Sequence, residues 1–243
     1  MKKLLLGLLL TLACGLSAGK IVLIGDSTMA DYSGEYRPAM RPRFGWGEKL
    51  SQYCREDVQV LNLAVPGLST KSFIAQKHWS KALKQIKKGD YVIIQFGHND
   101  GSHYGKDAHF CPPPQFVVNE TRMVQDVRAK GGVPILLSTT IPYQMNEETA
   151  AKKLSYSEAA HQVAEKEKVP FVDIREKMIA KLAEMGEEKS RGLFMIFPPG
   201  EDPYFPGGLT DKIHLREAGA ELVAEIFVAG AKDAQLPICE LFK

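Results

Sequence analysis

Lys20-Ile21-Val22-Leu23-Ile24, running directly into Gly25-Asp26-Ser27-Thr28, is the stretch from which the fold can be read. After Lys20 the run is aliphatic without polar alternation, so both faces of the strand it forms must be buried. Runs of the same kind recur at 58–63, 91–96, 133–138 and 170–173. Helical patterns lie between them. Trp46, Leu50, Tyr53 and Cys54 mark one, a lysine-rich segment at 74–86 a second, and Phe116, Val117, Met123, Val124 and Val127 a third that Gly131-Gly132 stops. A fourth opens at Ser155 and Glu158 with the spacing of a capping box, and a last carries Ala218, Leu222, Val223, Ile226 and Phe227. This alternation predicts an α/β protein, a parallel sheet wrapped by helices on both faces through right-handed crossovers.

The size of the chain fits one core. Its 243 residues are 44% hydrophobic and 25% charged, which suits one domain over 19–243. Basic and acidic residues nearly balance at 31 and 29, and the 14 prolines and 21 glycines are dispersed, so disordered and nucleic-acid-coating classes drop out. The lysines of 77–88 have no aromatic residues interleaved and read as a solvated helix face, so no nucleic-acid partner is expected.

Residues 1–18 have the three-part layout of a bacterial secretory signal: Lys2 and Lys3, the apolar stretch 4–12, then the small residues Ala13, Gly15, Ser17 and Ala18. The apolar run is too short for an ordinary membrane span. Cleavage after Ala18 leaves a formally neutral, exported, soluble protein, periplasmic or secreted. A lipoprotein signal acylated at Cys14 is the alternative, although Thr11 stands where such signals usually carry leucine. Cys54, Cys111 and Cys239 remain, and an exported protein could bridge two of them. Cys54 shares the helical spacing of Trp46 and Leu50 and reads as a buried thiol. No clustered Cys/His pattern suggests a metal.

In a doubly wound sheet, ligands bind beyond the carboxyl ends of the strands. The first strand ends in Gly25-Asp26-Ser27-Thr28, the second in Asn62-Leu63-Ala64-Val65-Pro66-Gly67 and the third in Gly97-His98-Asn99-Asp100; Asp211-Lys212-Ile213-His214 precedes the last helix. Each piece alone is an ordinary turn or cap. Together they supply a reaction. A serine hydroxyl needs a histidine to take its proton and a carboxylate to orient that histidine, which Ser27, His214 and Asp211 provide, the latter two from one turn at a helix start. The Ser27 N–H, the Gly67 N–H and the Asn99 amide can donate to the oxyanion, and Gly67 lets a substrate oxygen approach without meeting a Cβ. Asp26 reads as fixing the turn and His98 as positional support. His78, His103, His109 and His161 stand isolated.

These four blocks resemble those of the SGNH, or GDSL, hydrolases. Within them the chain is similar to the rhamnogalacturonan acetylesterases, from Ile24-Gly25-Asp26-Ser27-Thr28 through Gly45-Trp46-Gly47 and residues 91–100 to Gly219-Ala220. The resemblance implies a flavodoxin-like three-layer sandwich with a five-stranded parallel sheet, no metal or organic cofactor, and hydrolysis of acetyl esters on pectic polysaccharide. Three positions depart from the pattern: Leu68 where these esterases often have arginine, Ile213 where threonine is usual, and Ile141-Pro142-Tyr143 in place of a commonly arginine-bearing stretch.

Two irregular stretches, 100–115 and 188–210, are long enough to expect a use. The second carries Phe194, Phe197, Tyr204 and Phe205, which either pin the loop or, for Tyr204, stack on a sugar. Arg37, Arg41 and Arg43 are candidate partners for uronate carboxylates, with surface solubility the plainer alternative. The leading expectation is therefore an exported serine esterase acting on acetylated rhamnogalacturonan. An acetylxylan or other carbohydrate or short-chain acyl esterase, or a carbohydrate-binding pseudoenzyme, stands as the alternative.

Overall fold

The computed structural model describes residues 19–33, 42–101, 108–145 and 147–243. The signal segment 1–18 with Cys14, and Arg37, Arg41 and His103, lie outside them. Five parallel strands, β1 (Lys20–Gly25), β2 (Gln59–Asn62), β3 (Tyr91–Gln95), β4 (Val133–Leu137) and β5 (Phe171–Val172), form one sheet in the order β2-β1-β3-β4-β5. That is the flavodoxin-like order, with its topological switch point between β1 and β3.

Burial explains the unbroken apolar runs. Ile21 and Leu23 of β1, Ile93 of β3 and Ile135 and Leu137 of β4 face one layer, with Trp46, Phe194 and Phe227. Val22, Ile24, Val92, Ile94 and Leu136 face the other, with Phe73, Phe96, Phe116 and Tyr156. Successive side chains alternate between two cores, so alternation in polarity has no reason to exist. The second core is covered by α1 (Thr70–Ala75), α2 (His78–Leu83), α3 (Pro113–Ala129) and α4 (Glu147–Glu167). The first is covered by α5 (Ile174–Met185), α7 (Glu217–Asp233) and two 3₁₀ turns, Trp46–Glu48 and Leu50–Tyr53.

Several local expectations are corrected. The Trp46 to Cys54 pattern winds as 3₁₀ turns rather than an α-helix. The lysine-rich segment breaks into α1 and α2 at Lys77, whose φ of 64° no continuing helix accepts. Ser155 lies inside α4, which begins at Glu147, so its apparent capping box starts nothing. The stretch 188–210 is not one loop. After α6 (Glu187–Arg191), β6 (Phe194–Phe197) pairs antiparallel with β7 (Leu209–Leu215) in a separate two-stranded sheet, leaving only 198–208 irregular. Cys54, Cys111 and Cys239 are free thiols, and burial pushes Cys54 and Cys111 up to about 11. Among the described residues no helix is long and apolar enough to cross a membrane.

Candidate active site

Gly25 ends β1 and the chain turns at once. Asp26 Oδ1 accepts hydrogen bonds from the Thr28 N–H and the Thr28 hydroxyl, both at 2.9 Å, and the Asp26 carbonyl accepts from the N–H groups of Met29 and Ala30. Asp26 is only 1% exposed and shapes this turn, as its sequence context indicated. Ser27 is thereby held at the carboxyl end of β1, with its carbonyl oxygen accepting from Tyr32 OH (3.0 Å). The segment Gly45-Trp46-Gly47 packs on the turn: Trp46 N–H donates to the Thr28 carbonyl (2.9 Å), and a Cβ on Gly45 would lie 2.1 Å from the Ala30 carbonyl oxygen. Only glycine permits that approach.

His214 and Asp211 arrive from β7, not from the start of a helix as their spacing suggested. Asp211 Oδ1 accepts the N–H groups of Ile213 and His214, each at 3.0 Å, which curls the strand and returns the His214 ring toward its own carboxylate. His214 Nδ1 lies 2.7 Å from Asp211 Oδ2, and His214 Nε2 lies 2.9 Å from Ser27 Oγ. The hydroxyl, the imidazole and the carboxylate form one hydrogen-bonded chain. Burial alone would raise the Asp211 carboxyl, but the hydrogen bond and charge of His214 and the two N–H groups outweigh it and hold it down at about 2. Asp211 is therefore ionised throughout the neutral range.

Gly67 follows β2 and Asn99 follows β3, the two strands that flank β1, so their loops border the Ser27 turn. Gly67 has φ +80°, and a Cβ there would meet nothing within 4 Å. The backbone conformation, rather than crowding, is what demands glycine in this structure. Asn99 Nδ2 donates to the Leu68 carbonyl (3.1 Å), tying the two loops together and leaving its second amide hydrogen available. His98 Nε2 lies 2.7 Å from Thr140 Oγ1, bracing the same loop against the segment after β4.

The candidate substrate residues divide. Arg43 points inward, its guanidinium donating to Asp211 Oδ2 (3.2 Å), the same oxygen that His214 addresses. A uronate is one partner the sequence suggests for Arg43 and solvent the plainer one; its contact is a carboxylate of the protein itself. Arg43→Met is accordingly expected to lower kcat about fivefold, ~1 kcal/mol for a partly exposed pair, with KM for a small ester little changed. A raised KM confined to pectic polymer would return Arg43 to substrate binding. Tyr204 is 57% exposed in the irregular stretch 198–208, with its N–H donating to Asp202 Oδ1 (2.8 Å). The phenylalanines pin the hairpin: Phe205 stacks on Phe197 at 5.8 Å, and the Arg216 guanidinium lies 3.7 Å over the Phe197 ring. Leu68 and Ile141 are buried in the two cores, and Tyr143 N–H donates to the Lys212 carbonyl (2.8 Å), so these departures from the family pattern sit against the site. Among the described residues no group of three His, Cys, Asp or Glu side chains is placed to hold a metal ion.

Fold and site together define an ester hydrolase built on a doubly wound α/β sheet. Residues 23–222 match the GDSL-like Lipase/Acylhydrolase family, and the chain belongs to it; the protein is a carboxylic ester hydrolase. It is 32% identical over 221 residues to rhamnogalacturonan acetylesterase RhgT of Bacillus subtilis (strain 168), covering 90% of this chain and 92% of that protein. It is 29% identical over 224 residues to the probable rhamnogalacturonan acetylesterase YesY of the same organism, covering 92% and 97%. Among solved structures, YxiM from Bacillus subtilis superposes with a TM-score of 0.73 at 27% identity, covering 90% of this chain and 57% of that longer one. The acetylxylan esterase Axe2 from Geobacillus stearothermophilus shares the fold, with a TM-score of 0.62 at 19% identity, covering 88% and 96%.

Proposed function

We propose that this esterase is exported and removes acetyl groups from pectic polysaccharide of the rhamnogalacturonan type through Ser27, His214 and Asp211. The observation that carries the reading is the unbroken hydrogen-bonded chain from Ser27 Oγ through His214 to Asp211. His214 Nε2 takes the Ser27 proton as Oγ attacks the acetyl carbonyl carbon. The oxyanion that forms is met by the N–H groups of Ser27 and Gly67 and by the Asn99 amide. His214 then gives the proton to the departing sugar oxygen, leaving acetyl-Ser27. Water, deprotonated by His214, releases acetate and restores the serine. Asp211 stays ionised and keeps the imidazole oriented, while every proton that moves passes through His214.

The polymer is argued from relatives. Two curated proteins that match over nearly their full lengths carry the rhamnogalacturonan acetylesterase name, one of them as probable. Axe2 keeps acetylxylan as the competing substrate, on a likeness of fold alone. Export rests on the layout of residues 1–18. Acetate release from a panel of acetylated polysaccharides decides the matter. Acetylated rhamnogalacturonan is expected to be deacetylated faster than acetylated xylan, with chelators without effect; equal or reversed rates would replace the pectic reading by the xylan one.

A further inference from the structure

Behind the Asn99 loop the protein buries two acids that have too few donors. Asp100, next to Asn99, and Glu120, on α3, are both at 0% exposure. Asp100 Oδ1 accepts hydrogen bonds from the Thr70 N–H (3.0 Å) and the Thr70 hydroxyl (2.5 Å), but Asp100 Oδ2 and both carboxyl oxygens of Glu120 have no hydrogen-bond partner. A carboxylate stripped of both water and donors takes up a proton instead of staying charged. Burial raises Glu120 well above the ordinary carboxylate range, and the charge of Asp100 adds to this. Burial also pushes Asp100 up to about 7, against the lowering pull of Thr70.

The surroundings offer the pair little positive charge. Asp26 from the turn after β1 raises Asp100 further, and Cys111 from the segment before α3 and Tyr156 from α4 are themselves raised by burial and by Asp100. Lys71 of α1 directs its ammonium to the Phe110 carbonyl oxygen (3.4 Å). Thr70, Asn119, the Cys111 thiol and the Gly97 N–H are polar groups that face Asp100, and the first two form a ladder. Thr70 opens α1 directly after Gly67-Leu68-Ser69 and grips Asp100, while Asn99 grips Leu68. Asn119, beside Glu120 on α3, donates to Thr70 Oγ1 (3.0 Å). Two rungs thus fasten the loop after β2 to the loop after β3, and α3 backs them.

We infer that Asp100 and Glu120 are positioning residues for the Asn99 amide: Asp100, gripped by Thr70, fixes the loop that carries Asn99, and Glu120, buried behind it without a donor, is kept as the neutral acid so that no second charge stands beside Asp100. The inference rests on the reading of Asn99 as an oxyanion donor. Two full charges in one sealed space would repel, so loss of the Glu120 proton works against the rung. The sign of the pH effect follows from the raised native value. Above the unfolded value of 4.5 the native state binds more protons than the unfolded chain, so stability falls as pH rises from there toward the native value of Glu120.

Melting curves of the wild type and Glu120→Gln, taken from about pH 5 to about pH 9, read this directly. Glutamine keeps the shape and has no proton to lose, so the Tm of the variant should gain on that of the wild type as pH rises. Parallel curves would overturn a neutral Glu120. Repeating both in a Ser27→Ala background separates the result from catalysis: an active Ser27→Ala would sink the serine reading and leave the acid pair standing. If Glu120→Gln does not fold, carboxyl-carbon NMR of the wild type serves, with the assigned Glu120 carboxyl still protonated at neutral pH as the expected result and its full ionisation as the contrary one. The positioning role has its own readout. Thr70→Val should lower kcat for a small ester about tenfold at unchanged KM, and should add nothing further in an Asn99→Ala background. Fully additive losses would show that the rung does not act through Asn99.

Discussion

Ser27→Ala is expected to lower kcat for p-nitrophenyl acetate by about 10⁵-fold or more, with the melting temperature almost unchanged. The hydroxyl contacts His214 Nε2 at 2.9 Å, while the structural bond of this residue, from Tyr32 OH, goes to its carbonyl oxygen and survives the substitution. The lost side-chain hydrogen bond is worth about 1 kcal/mol to folding, small beside the catalytic loss. Steady-state kinetics and thermal unfolding on one purified variant check both halves. Retention of more than a small fraction of the rate would mean that another nucleophile carries the reaction. A loss of cooperative melting would mean that Ser27 supports the turn as well as the chemistry.

For Asn99→Ala the expected loss is about 10²–10³-fold in kcat, near 3–4 kcal/mol, with KM for a small ester little changed, because the amide acts on charge that exists only in the transition state. The variant also loses the link from Nδ2 to the Leu68 carbonyl, so part of the fall comes from a looser Gly67 loop. Gly67→Ala should fall as well, for a different reason than an occupied oxygen site. At φ +80° an alanine costs about 1–2 kcal/mol of backbone strain, and relaxation turns its N–H away from the site. Neither variant should reach the level of Ser27→Ala, since other donors remain. An Asn99→Ala enzyme with raised KM and intact kcat would make Asn99 a ground-state binding group and leave the hole to be built elsewhere.

The five-stranded sheet was legible because burial on both faces leaves a run such as Ile21-Val22-Leu23-Ile24 apolar throughout, and each run ends in residues that belong to turns. The place of the candidate site was legible for the same reason, since Ser27, Gly67 and Asn99 stand after strands. The hairpin was not. Phe194-Met195-Ile196-Phe197 is a strand signal, but it lies between Gly192 and Pro198-Pro199-Gly200 and reads as part of a loop. Asp211 and His214 have the spacing of a helical turn, and α7 follows at Glu217; the two backbone bonds to Asp211 Oδ1 make the same juxtaposition from a curled strand. The contact of Arg43 with Asp211 joins residues 168 apart in the chain, and no local periodicity carries such a signal.

The division of the site between two sheets has a consequence for how such an enzyme changes. Ser27, Gly67 and Asn99 follow strands of the parallel sheet, whereas Asp211 and His214 ride on a two-stranded ribbon of their own. That ribbon is clamped at its base, where the Arg216 side chain bonds the carbonyls of Phe194 and Ile196 and covers Phe197, and where Phe44 N–H donates to the Leu215 carbonyl. Residues 198–208 close the ribbon and reach back to the clamp, Glu201 pairing with the Arg216 guanidinium (2.9 Å) and Phe205 stacking on Phe197. Exchanging the exposed residues between those two anchors, Tyr204 among them, leaves the clamp and the curl at Asp211 untouched, so the ribbon behaves as a cassette in which new surface can be tried while Asp211 and His214 stay in register.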